Sequence, residues 1–234
     1  MAASLSANSA KDLRRELSLL NLEVSPRSKG RTTAQTEWFS FAHLLSSLPP
    51  KNLTFPLTVE HRDRPDFVVT SRSGAIGVEL TEAVAENLAR SSALREQGVG
   101  PPVYMLPRAK PGEAARSSAK LSREIVQDIA GPPWVGDEPE REWAAAMLHF
   151  TTIKVGKAAK PGFVKYQKNW LLIYDNWSVP AVELKQASSM LQVELVAANV
   201  FLTFDRVFVL GSKALCEFGA RAYMHKVKEP RVGS

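Results

Sequence analysis

The segment Arg64–Thr81 constrains this chain more than any other. Two runs rich in Val and Ile, Asp66–Ser71 and Ala75–Thr81, flank the turn formers Arg72, Ser73 and Gly74, which is the pattern of a β-hairpin. If Arg72 and Ser73 are the two loop residues, Ser71 faces Gly74, and the same register sets Asp66 directly opposite Glu79 on one face. Like charges so opposed destabilise a sheet unless something offsets them, and a divalent cation with oxygen ligands is the usual remedy. Because side chains alternate along a strand, Glu79 and Thr81 share a face, while Ile76, Val78 and Leu80 turn the other way, toward a core.

The surroundings of the hairpin read as α/β. Before it, Trp38, Phe41, Leu45 and Leu48 recur at helical spacing from Ala34 until Pro49 and Pro50 stop the pattern, with Thr32 or Thr33 available as a cap. Leu57–Arg62 reads as a further strand. After the hairpin, residues 82–97 read as a helix and 98–112 as a loop. Leu121, Ile125 and Ile129 mark another helix, and a long one is expected over about 138–157. Trp170–Tyr174 and Arg206–Leu210 are short apolar strands joined by an amphipathic helix over about 182–200, a crossover that implies a parallel pair. The expected sheet is mixed, antiparallel first and parallel later, with helices flanking it.

A chain of 234 residues with 44% apolar and 23% charged residues can bury a core, and is neither disordered nor a disulfide framework in type. One cysteine, Cys216, permits no internal bridge and reads as a buried thiol. No Cys/His spacing suggests zinc. The absence of an 18-residue apolar run or a secretory apolar core points to a cytoplasmic protein with no membrane partner. The Ser- and Arg-rich start resembles some transit peptides, against which Asp12, Glu16 and Glu23 argue.

The net charge of +6 is unevenly placed. Residues 1–33 carry six bases against three acids and read as a flexible basic extension with one short amphipathic piece, Lys11–Leu22, before the turn-rich 25–30. Lys226, Lys228 and Arg231 outweigh Glu229 in a basic tail, 225–234. The domain proper, 34–224, is nearly neutral, yet Lys154, Lys157, Lys160, Lys165 and Lys168 follow one another with no acid between them. A stripe of that kind suits phosphate backbones, and equally a solvated helix end.

Pro65-Asp66, twelve intervening residues and Glu79-Leu80-Thr81 resemble the PD-(D/E)XK signature of restriction-endonuclease-like nucleases. The order of elements over about 34–215 resembles theirs as well. The resemblance implies a restriction-endonuclease-like mixed sheet flanked by helices, in which Asp66 and Glu79 hold Mg²⁺ (or Mn²⁺), the Leu80 carbonyl adds a ligand, and DNA, in preference to RNA, is cut. Glu37, on the preceding helix, stands where members often add an acid, with Glu60 behind it. Thr81 departs from the pattern, occupying the position of the lysine that would offset charge in the transition state.

A cation from elsewhere is therefore expected. Met147, Phe150, Lys154 and Lys157 continue one helical stripe, which ranks Lys154 first and Lys157 second, ahead of Lys120 and Lys165. The competing reading is a fold relative without catalysis that binds nucleic acid or a partner protein, as a regulatory, immunity or defence-complex subunit; a homodimer is also open. His43, His61, His149 and His225 lack ligand spacing and read as structural, and Trp134 and Trp177 read as loop anchors before base-stacking platforms.

Overall fold

The computed structural model describes residues 4–25, 30–104, 107–128 and 131–230. They form one eight-stranded sheet whose strands lie in sequence order: β1 (Ser4–Ala7), β2 (Leu57–His61), β3 (Phe67–Ser71), β4 (Gly74–Ala83), β5 (Lys168–Asp175), β6 (Arg206–Leu210), β7 (Ala214–Phe218) and β8 (Tyr223–Lys226). Strands β1 to β4 are antiparallel, β4, β5 and β6 are parallel, and β6 to β8 are antiparallel again. The mixed α/β sheet expected from the sequence is what the chain forms.

Two cores lie on the two faces. On one, α1 (Ala10–Ser18) and α2 (Thr33–Ser47) bring Leu17, Phe41 and Leu44 against Val59, Phe67, Val78, Leu80 and Leu172. On the other, α5 (Glu138–Ala158) and α6 (Leu184–Ala197) bring Trp143, Met147 and Leu191 against Leu171, Ile173 and Val209. Strand β5 is covered on both faces. Its run from Trp170 to Ile173 is therefore continuously apolar, with alternate residues entering opposite cores. Helices α3 (Glu86–Glu96) and α4 (Ser118–Gln127) pack on each other between β4 and α5.

Local chemistry sets the ends of these elements. Thr32 Oγ1 accepts from the Gln35 N–H at 3.2 Å while the Gln35 side chain takes the Thr32 N–H at 2.8 Å, a capping box that starts α2. The hairpin register is the expected one: Ser71 pairs with Gly74 and Phe67 with Val78. Gly74 has φ +109°, and a Cβ there would lie 1.8 Å from Gln167 Oε1, so glycine is required.

The two ends of the chain differ from expectation. Residues 4–18 are no loose arm: β1 pairs along β2, Ser9 caps α1, and Leu5, Ala7, Leu13 and Leu17 are buried. The tail is likewise docked, since β8 pairs with β7 and the Lys228 N–H donates to Ser47 Oγ at 2.9 Å. The sheet thus spans 4–226, and the 34–224 boundaries fall inside it. Four-residue edge strands leave too short an alternation to be read, which is the physical reason for the miss. Ile129, Arg231 and the centre of the 25–30 turn lie outside the described residues.

Candidate active site

Asp66 immediately precedes β3 and Glu79 lies within β4, so the register sets them side by side where the β2–β3 turn meets the sheet. The Asp66 carboxylate is held by the Leu80 N–H, which donates to its Oδ2. The N–H and C=O of a residue in an extended strand point to the same side. The Leu80 carbonyl therefore also points toward the Asp66 side, beyond the last β3 pair.

Lys154 answers the charge of the two acids. Its Nζ donates to Glu79 Oε2 at 2.8 Å and lies 3.8 Å from Asp66 Oδ2. All three side chains are at most 18% exposed, so their mutual field is screened less than at an open surface. The helical stripe explains the placement: Trp143 and Met147 are buried against the sheet, and the same face of α5 continues to Lys154 at the carboxylates.

Burial pushes the Asp66 carboxyl up to about 6, with Lys154 and the Leu80 N–H pulling against the rise and Glu79 and Glu37 adding to it. Asp66 is thus a group whose charge is sensitive to its neighbours near neutral pH.

The two carboxylates and Lys154 line a cleft of about 380 Å³, together with Asp63, Arg64, Lys157, Lys160 and the 161–164 turn. Lys157 and Lys160 are exposed. Lys120 lies on α4, and neither it nor Lys165 lines the cleft. Arg64 and Lys160 join the site only through folding; a single base beside an acid in a turn carries no signal in the sequence.

Two expected site residues stand elsewhere. Thr81 lines a separate hollow of about 360 Å³ with Arg31, Glu37 and Glu82, not the carboxylate cleft. Two residues further along β4 is about 6.5 Å, which takes it past the end of the cleft. Glu37 lines that same hollow, and its Oε2 is 2.7 Å from His61 Nε2. It reaches Asp66 through its charge. His61, read as merely structural, is therefore the direct partner of Glu37. Glu60 pairs with Arg62 at the surface.

The residues fit a divalent cation in part. Two carboxylate oxygens close enough to share one amine, plus a carbonyl on the same side, are the oxygen set that Mg²⁺ accepts when water completes its shell. Among the described residues no three His, Cys, Asp or Glu side chains gather as a metal-binding group.

The remaining candidates are structural. Trp177 is buried and meets Phe150 edge-on with ring centroids 6.1 Å apart, while Trp134 is stacked under Arg108. Cys216 is a buried free thiol. Among the described residues no helix is long and apolar enough to cross a membrane. Comparison of the chain with protein-family models, curated proteins and solved structures finds no match.

Proposed function

We propose that the protein is a metal-dependent nuclease of restriction-endonuclease-like fold that hydrolyses phosphodiester bonds of DNA. One observation carries the reading: the Lys154 amine meets both carboxylates of the hairpin, the charge arrangement that Thr81 cannot supply from the usual lysine position. Asp66, Glu79 and the Leu80 carbonyl would hold Mg²⁺ or Mn²⁺. When bound, that ion would polarise the phosphoryl oxygen and acidify water.

The chain's own residues have distinct tasks in this reading. The Leu80 N–H fixes the Asp66 carboxylate. Lys154 offsets the charge that grows on the phosphoryl oxygens and can orient the attacking water by a hydrogen bond. Arg64, Lys157 and Lys160 line the approach and neutralise backbone phosphates. Glu37, held by His61, deepens the negative potential at Asp66 and is a positioning residue.

The test is cleavage of plasmid and single-stranded DNA with Mg²⁺ or Mn²⁺ supplied. Cleavage that disappears in both Asp66→Ala and Glu79→Ala is the expected result. Folded wild-type protein that cuts neither DNA nor RNA under these conditions refutes the enzyme reading.

The missing third ligating side chain favours a second reading, a non-catalytic relative in which Lys154 permanently replaces the metal as the counter-charge. It predicts nucleic-acid or partner-protein binding that is unchanged in Asp66→Ala and indifferent to Mg²⁺.

A further inference from the structure

A separate cavity of about 200 Å³ lies between α3, α4 and the 107–116 segment and shares no lining residue with the carboxylate cleft. Its volume is that of about seven waters at ~30 Å³ each, enough for a single ring with a head group. Leu88, Pro107, Leu121 and Ile125 make one part of its wall apolar. The polar part is unusual in its arginines.

Arg95 lines the cavity, and its guanidinium carbon sits 3.4 Å from the centroid of the Tyr104 ring. Its Nε and Nη1 are buried and have no hydrogen-bond partner. Arg108 lies 3.8 Å above the Trp134 ring and gives Nη2 to the Pro133 carbonyl and to Glu138, while its Nε is buried and unpartnered. Arg116 differs, being satisfied by Glu113 and Glu124 at 2.8 and 3.0 Å. Asp128, the other acid on the lining, is exposed to water.

Buried polar groups are nearly always paired, and a cationic donor without a partner is desolvated with nothing to offset it. Stacking holds each guanidinium plane in place before any ligand arrives, which reduces the ordering that binding requires. Gly100 presses on the site from the loop side: it has φ +88°, and a Cβ there would lie 2.4 Å from Ile125 Cγ2 and 3.5 Å from Arg95 Nη1. We propose that this cavity binds a small organic anion, its carboxylate or phosphate taken by Arg95 and Arg108 and its apolar body resting on Leu88, Leu121 and Ile125. The site is independent of the nuclease reading.

Benzoate, phenyl phosphate and neutral benzamide, titrated at millimolar concentration into the ¹⁵N-labelled full chain, test this. The expected result is that at least one anion raises the melting temperature and shifts two arginine Nε–Hε resonances. Benzoate alone identifies a carboxylate ligand, phenyl phosphate alone a phosphate ligand, and both support the shared anion chemistry. Benzamide should bind at least about tenfold more weakly, and Arg95→Met should weaken the anion by about tenfold or more. Arg95→Met should melt no lower than wild type, because it removes an uncompensated cation, and Lys154→Met should bind the anion like wild type. Benzamide binding as well as the anions, full affinity in Arg95→Met, or unmoved arginine resonances in the wild-type protein would overturn the proposal. The last readout needs no variant to fold.

Discussion

Lys154 on α5 and Glu79 on β4 stand 75 residues apart in the sequence and are joined by a 2.8 Å ion-paired hydrogen bond at the end of a β-hairpin. Asp66 lies 3.8 Å from the same amine, so one ammonium serves two carboxylates that the register forces together. Its removal leaves two like charges facing each other.

Lys154→Met should therefore destabilise the metal-free protein by about 1–3 kcal/mol, less than for a fully buried pair because the groups keep some contact with water. A divalent cation can replace the lost charge. Added Mg²⁺ should raise the melting temperature of Lys154→Met more than that of wild type, and equal shifts would show that the carboxylates do not hold the ion.

The raised acidity constant of Asp66 gives a pH dependence with a definite sign. The folded state keeps the proton up to about pH 6, whereas the unfolded chain releases it near 3.9. Protonation thus favours the folded state fully below the unfolded value, and the contribution is lost as pH rises through about 6. The gap corresponds to about 3 kcal/mol. Asp66→Asn, which can still accept from the Leu80 N–H, should stabilise the metal-free protein by about 2–3 kcal/mol at pH 7.5 and by almost nothing at pH 3.5. Denaturant titrations at the two pH values measure the difference.

Thr81 occupies the expected lysine position in the sequence but not the cleft in space. Thr81→Lys placed on Lys154→Met should leave cleavage at the level of Lys154→Met. Recovery of activity to within about tenfold of wild type would mean that a lysine at position 81 reaches the carboxylates after all.

The N-terminal segment is predicted to be structural. Leu17 on α1 is fully buried beneath the sheet, and Leu17→Ala should cost about 2–5 kcal/mol in a denaturant titration. A mobile arm would give a change within about 0.5 kcal/mol.

What could be read from the sequence was what the backbone decides over short distances. The pairing of Ser71 with Gly74 follows from a two-residue loop between alternating runs, and the inward face of α5 follows from the spacing of Trp143, Met147 and Lys154. Each is a periodicity of one element. The edge strands β1 and β8 carried no such signal, because four residues are too few to establish alternation, and their stability comes from the neighbour they pair with.

The sequence by itself determined the hairpin, its register and the face of α5 on which Lys154 stands, since these depend on local geometry alone. Only the tertiary structure decided that the Lys154 face packs over β4 at Glu79, that Thr81 falls beyond the cleft, and that Arg95 and Arg108 are buried without partners. Those outcomes depend on how helices settle on a twisted sheet, where side-chain packing between distant segments fixes which charges meet.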